Sequence, residues 1–256
     1  CFRWKRLNDN SYLIPAFGKN LVINQNGNEF DFSCSKKEFD LFWKNYFDIN
    51  RDYSDIGKRI FSTNDNHLKD AFNLGSGIRI LNQDLWEIIF SFMISQNNNI
   101  KRISKSIEMI CERVHLSSDN YESDFFSEVK DICRFPFASE IPLDIFDDSS
   151  LGLGYRAPYL KEICQFVIDN SSWLDELKKM NFDDAFKSLI SRKGIGPKVA
   201  NCICLFGLGH VEAFPIDTHV KQFLEKYYSD GIDLSLYPNE AGIIQQYLFY
   251  YELLNK

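Results

Sequence analysis

The sequence has no hydrophobic run approaching the ~20 residues that a membrane-spanning helix needs, so nothing in it is expected to cross a bilayer. It has no CxxC pair either. Its seven cysteines (Cys1, Cys34, Cys111, Cys133, Cys164, Cys202 and Cys204) are odd in number and irregularly spaced. Cys202 and Cys204 lie too close together for a redox or zinc pair, and the four-cysteine spacing of an iron–sulfur cluster is absent. Free thiols in a reducing compartment are the expectation. There is no excess of positive charge: 29 Lys and Arg face 36 Asp and Glu, a formal net charge of −7. That argues against a protein that coats nucleic acid by bulk attraction. It leaves room for DNA contacts through local charge and through backbone N–H groups at helix ends. No internal repeat is visible. The chain opens at Cys1 rather than Met, without a charged-then-apolar leader, and is read as a truncated or processed end with no targeting signal.

What is present is ordinary globular composition, 45% hydrophobic and 25% charged over 256 residues, enough for two modest domains or one large one. Residues 1 to about 33 read as strands, rich in β-branched and aromatic residues. Asn26-Gly27 is the strongest hairpin signal, because a tight turn needs positive φ at both central positions. A helix is expected from Ser35, with Glu38 completing a capping box and Phe39, Phe42, Trp43 and Phe47 at helical spacing. From about residue 65 onward nearly everything reads as helix, including an Asp84–Glu87 cap and segments 103–114, 159–168, 183–190, 197–206, 219–228 and 241–253. Strands followed by helices imply an α+β fold: a small antiparallel β-sheet domain, 1–78, packed on a larger helical domain, 79–256.

The most informative stretch is KGIGPKVANCICLFGLG, 193–209. Gly194 and Gly196 let the backbone turn sharply between two helices and turn N–H groups toward a phosphate at a helix start. Pro197 suits the first helical turn, where its missing N–H costs nothing. Lys198 comes next, beside any phosphate so held. Nineteen residues later FPIDTHV places Asp217 at a helix N-cap. Taken singly, Asp217 reads as a cap, Lys198 as a solvated surface lysine, and a GxG turn is only moderately specific.

Together, GIGPKVANCICLF and FPIDTHV resemble the helix-hairpin-helix and Asp-loop signature of the HhH-GPD DNA glycosylase superfamily, and within it the 8-oxoguanine DNA glycosylase/AP lyase family in a bacterial-type form. LNQDLWEIIFSFMISQNNNIKRI (81–103), LGLGYRAPYL (151–160), AGIIQQYLF (241–249) and the initial CFRW are similar to family segments in the same order. The resemblance implies a bifunctional enzyme of base-excision repair. Lys198 would attack the sugar C1′ as an uncharged amine, its pKa lowered from about 10.4. Asp217 would remain ionised, aided by the helix it caps, and stabilise the cationic sugar.

Further roles follow from the same resemblance. Cys202, four residues after Lys198, would pack against the flipped base, with Phe206 as a second wall; a small core cysteine is the alternative. Gln245 and Phe249 would read the base edge and stack on its face. Asn97 and Arg102 would contact the cytosine left unpaired, Tyr155 would wedge into the stack, and Arg156 would add a second cytosine contact. His219, Gly194 and Gly196 would meet the DNA backbone. A glycine carbonyl that reads the N7 proton of the oxidised base falls, in the family, ahead of Cys1.

No cofactor is required, no metal from side chains is expected, and the hairpin carbonyls around Ile190–Ile195 would be the place for a structural cation. The expected partner is damaged double-stranded DNA, engaged by a monomer, with no membrane association. The expected location is a bacterial nucleoid in the cytoplasm, or a nucleus in a eukaryote. Another HhH-GPD glycosylase acting on a different lesion remains an alternative. So does a noncatalytic DNA-gripping module, although such a module needs neither Lys198 with Asp217 nor Gln245 with Phe249.

Overall fold

The computed structural model describes residues 2–116 and 133–255; Cys1 lies outside them. The chain forms two compact units from interleaved segments. The first comprises Cys1–Phe39, Gln83–Glu176 and Arg192–Gly194, and the second Asp40–Asn82, Leu177–Ser191 and Ile195–Lys256. The architecture is α+β: a small antiparallel sheet with a mostly helical remainder. Among the described residues no helix is long and apolar enough to cross a membrane.

In the first unit, β1 (Lys5–Arg6), β2 (Ser11–Ala16), β3 (Lys19–Asn26) and β4 (Glu29–Phe32) lie side by side in chain order, all antiparallel. The hairpins differ from the sequence expectation. Asn26 pairs with Glu29, so the central residues of that turn are Gly27 and Asn28, and of these only Gly27 has positive φ, at 64°. A glycine at the first central position supplies what such a turn needs. The turn with two positive φ values is instead Phe17–Gly18, at 52° and 72°, between paired Ala16 and Lys19. The strand expected from the initial FRWKRL is confined to Lys5–Arg6.

Ser35 caps α1 (Lys36–Glu38), accepting from Glu38 N at 3.1 Å. The expected continuous helix is then interrupted by a π turn, Phe39–Trp43, before α2 (Lys44–Tyr46). The wider winding breaks the 3.6-residue register. Trp43 and Tyr46 are buried, whereas Phe42 is 40% exposed.

The helical part of the first unit centres on α5 (Leu85–Ser95), started by Asp84 Oδ1 accepting from Glu87 N at 2.9 Å and buried from Leu85 through Ile94. Against it lie α6 (Ile100–Leu116) and α7 (Ala157–Asp169), each contributing an apolar stripe. Prolines and Gly152 break the stretch before α7 into single 3-10 turns. The short α8 (Trp173–Leu177) follows α7. The second unit adds α3 (Tyr53–Ser62), α4 (Asn66–Gly75), α9 (Phe182–Ile190), α10 (Pro197–Gly207), α11 (Thr218–Tyr227) and α12 (Ala241–Leu254). There α12 packs on α4 and α11, and α9 on α10. Gly242 permits a close approach: a Cβ would come 2.5 Å from Leu205 Cδ1 and 2.6 Å from the Ala213 carbonyl. Its N–H donates to Val211 O at 2.7 Å, fastening the start of α12 to the loop that joins α10 and α11.

Arg3, only 2% exposed, donates through Nε to Glu108 Oε1 at 2.7 Å and through Nη2 to the Cys133 carbonyl, and lies 3.9 Å from Glu87 Oε2. Burial pushes the Glu87 carboxyl up to about 7, with the Arg3 charge opposing and Asp84 adding to the rise. The folded protein therefore keeps a proton that the unfolded chain releases near its ordinary value of 4.5, so stability falls as pH rises from about 4.5 to about 7. Glu87→Gln carries no such charge. Its unfolding free energy, relative to native, is expected to rise by on the order of 3 kcal/mol between pH 4.5 and pH 8 in urea titrations. An equal difference at both pH values contradicts this.

Candidate active site

The second unit carries the candidate reactive groups. Gly196, with an ordinary φ of −87°, is the N-cap of α10; no side chain caps this helix start, and Pro197 occupies its first turn. Lys198 and Cys202 follow four residues apart on one helix face. Their side chains meet: the Lys198 amine hydrogen-bonds the Cys202 thiol. Cys202 is 3% exposed, and burial pushes its thiol up to about 11. The Lys198 charge and hydrogen bond oppose that rise, and the Asp217 carboxylate adds to it. Amine, thiol and carboxylate thus share one neighbourhood, with the thiol protonated at neutral pH. Cys204, fully buried, has its thiol pushed up to about 12 by burial and by Glu212, and belongs to the core.

Asp217 is the N-cap of α11: its Oδ1 accepts from Val220 N at 2.8 Å. Asp217 is half-buried and His219 exposed. The His219 ring meets Phe249 edge-on at 6.5 Å between centroids, tying the start of α11 to α12. Phe249 is half-buried. Gln245, one turn earlier on α12, is only 3% exposed, and its Oε1 accepts from Gln246 Nε2 at 2.6 Å. Phe206 is half-buried near the end of α10.

The first unit brings together a different group. Gly194 has φ of +81°, and a Cβ there would lie 2.7 Å from Tyr159 Cβ, so both backbone and packing demand glycine. Gln96 Nε2 donates to the Gly194 carbonyl at 2.9 Å and to Met93 O at 3.1 Å. Asn97 follows in the left-handed region, at φ of 46°, and is exposed. Asn99 Oδ1 accepts from Arg102 N at 3.1 Å at the start of α6, and Arg102 is exposed. Tyr155 is 54% exposed, with its hydroxyl donating to Gln96 O at 3.3 Å and its ring 4.5 Å from the Arg156 guanidinium carbon. Arg156 is buried beneath it. Its Nε donates to Gln96 O at 2.8 Å, its Nη1 to Leu153 O at 3.2 Å, and its Nη2 to Asn97 O at 2.9 Å and also to Gln96 O. An open groove of about 520 Å³, lined by residues including Arg113, Pro142 and Asp148, contains none of these side chains.

Comparison with known proteins falls on the same segments. Residues 1–89 match the N-terminal domain of 8-oxoguanine DNA glycosylase, and residues 90–233 match the HhH-GPD superfamily of base excision DNA repair proteins. The crystal structure of Clostridium acetobutylicum 8-oxoguanine glycosylase/lyase in complex with dsDNA containing cytosine opposite to 8-oxoG has a TM-score of 0.86 and 32% identity. That similarity covers 100% of this chain and 89% of that one. The chain belongs to the 8-oxoguanine DNA glycosylase family. N-glycosylase/DNA lyase OGG1 of Arabidopsis thaliana is 34% identical over 157 residues, and the N-glycosylase/DNA lyase of Saccharomyces cerevisiae 30% over 166. Each alignment covers 59% of this chain, and it spans about two fifths of those curated relatives, 41% and 42% of their lengths.

In this 8-oxoguanine DNA glycosylase family member the structure adds two residues that the sequence analysis did not single out. Gln96 joins the Gly194 carbonyl to the end of α5. Asn201 bridges α10 to the loop ahead of Asp217: Nδ2 donates to Pro197 O at 2.9 Å, and Oδ1 accepts from Phe214 N at 3.2 Å. Both use an amide as donor or acceptor toward backbone, and the only sequence signal is a polar amide beside a motif residue. The two hairpin glycines also separate in kind, since a Cβ at Gly196 meets nothing within 4 Å. Gly194→Ala is expected to cost about 2 kcal/mol or more through strain and overpacking, and Gly196→Ala about 1 kcal/mol or less. Urea denaturation of the two variants checks this, and equal losses contradict it.

Proposed function

We propose that the chain is a bifunctional DNA glycosylase/AP lyase that extrudes 8-oxoguanine opposite cytosine, removes it and cleaves the strand. The single observation supporting this most strongly is the hydrogen bond between the Lys198 amine and the protonated Cys202 thiol, with the helix-capping Asp217 carboxylate near enough to act on that thiol. The names of the relatives carry the same chemistry.

In this reading Lys198 Nζ, once uncharged, forms a bond to C1′ while the bond from C1′ to N9 breaks and the base leaves with its electron pair. Asp217 stabilises the positive charge that builds on the sugar, and its orientation is set by the Val220 N–H rather than by solvent. Opening of the sugar ring yields a protonated Schiff base. Loss of a C2′ proton then expels the 3′ phosphate by β-elimination, and water releases Lys198. No step draws on a bound cofactor.

The neutral Cys202 thiol would lie against the base without competing as an anion. Gln245 would exchange its bond to Gln246 for the Watson–Crick edge, with Phe249 on the base face and Phe206 as a further wall. Gly196 leaves room at the start of α10 for a phosphate, whose charge the helix end favours, and His219 and Gly194 would serve the backbone too. Asn97 and Arg102 would pair with the orphan cytosine while Tyr155 fills the vacated stack. Arg156 has four of its five N–H groups on backbone carbonyls, so it would hold the Asn97 turn and offer the remaining one to the cytosine. The enzyme would act as a monomer on double-stranded DNA, in a bacterial nucleoid or, in a eukaryote, the nucleus.

Borohydride added during incubation with an 8-oxoguanine:cytosine duplex is expected to trap a covalent protein–DNA adduct, and Lys198→Gln to abolish it. Trapping on another lesion but not this one would favour a different substrate, and trapping on none would favour a DNA-gripping module. Gln245→Ala is expected to slow excision roughly 10- to 100-fold while binding to undamaged duplex stays within about twofold. Equal losses contradict a base-reading role.

A further inference from the structure

Resting on that reading, we infer that Asn201 is a positioning residue that sets the separation of Lys198 from Asp217. Asn201 sits on α10, three residues after Lys198 and one before Cys202, and its side chain faces two ways. The amide nitrogen donates back to the carbonyl of Pro197, in the turn that carries Lys198. The amide oxygen accepts from the N–H of Phe214, three residues before Asp217. One side chain therefore grips both ends of the catalytic pair.

The short span from Phe214 to Asp217 makes that grip effective. Phe214 precedes a proline, which pushes it toward extended backbone. Pro215 has its φ locked near −65° by its ring. The anchor at Phe214 is thus transmitted through stiff residues to Asp217, which locks in turn by capping α11 at Val220. A second fastening lies just upstream, where Val211 O accepts from Gly242 N. That one fixes the loop to α12, whereas Asn201 fixes it to the turn bearing the amine. The bond that spans to the loop needs only an acceptor, which an amide or a carboxylate supplies; the bond within α10 needs a donor, and an apolar isostere makes neither.

The function follows from distance. Displacing a catalytic group by about 1 Å costs on the order of 100-fold in rate, with little change in the contacts that hold the ligand. Asn201→Leu keeps the branched shape of the side chain and removes both bonds. Its single-turnover excision of 8-oxoguanine, per folded molecule, is expected to fall roughly 10- to 100-fold. Its affinity for a duplex containing a tetrahydrofuran abasic analogue is expected to stay within about twofold. Asn201→Asp retains the acceptor for Phe214 and is expected to recover most of the rate; this variant also carries the test if the leucine variant folds poorly. A native rate in Asn201→Leu overturns the inference, as does an equal loss of rate and affinity, or an aspartate variant no faster than the leucine one. If the native protein forms no adduct on the 8-oxoguanine duplex, the functional reading falls and this inference with it. An adduct from the native protein with an unimpaired Asn201→Leu removes this inference alone.

Discussion

The candidate site depends on one constraint: the Lys198 amine is hydrogen-bonded to the buried Cys202 thiol, and the Asp217 carboxylate lies near enough to act on that thiol. Asp217 is the fixed point. Its bond to the Val220 N–H gives the carboxylate an orientation set by the start of α11, and the positive helix end favours its charge. Lys198 and Cys202 come to it on the first turns of α10, joined by their own hydrogen bond. Burial raises the thiol pKa, the ammonium beside it opposes that rise, and the carboxylate adds to it.

Everything proposed for base recognition in the second unit hangs from the same frame. Gly242 brings the start of α12 against Leu205 and the loop between α10 and α11. Gln245 and Phe249 then follow on the same helix, and the contact between His219 and Phe249 links that ring to the helix that Asp217 starts. The first unit is organised by a different economy of donors. There Arg156 and Tyr155 converge on the Gln96 carbonyl, and the Gln96 amide holds Gly194, so the proposed wedge and the first hairpin glycine share one support.

Features encoded in adjacent residues were legible in the sequence. Caps at Ser35, Asp84 and Asp217, the proline start of α10 and the i,i+4 pair of Lys198 and Cys202 all appear where local chemistry places them. The α+β character followed from the same local patterns. What escaped depends on partners distant in the chain or on small backbone choices. The turn with two positive φ values lies at Phe17–Gly18, where a phenylalanine gives no turn signal, rather than at Asn26-Gly27. The π turn at Phe39–Trp43 is invisible to a 3.6-residue count. Helix α3 hides in a charge-rich stretch with Gly57 at its middle. Asn201 and Gln96 bond to backbone atoms, and a carbonyl or N–H has no residue identity for a pattern to recognise. The burial of Arg156 beneath Tyr155 is likewise a property of packing, not of the GYR motif.

The central claim is that one amine, at the start of α10, becomes bonded to the sugar. Proteolysis of the borohydride-reduced protein–DNA adduct, followed by mass spectrometry of the modified peptide, locates that bond directly. The account predicts the added sugar mass on Lys198. Its appearance on Lys193, on another lysine or on the chain's amino terminus would contradict the account.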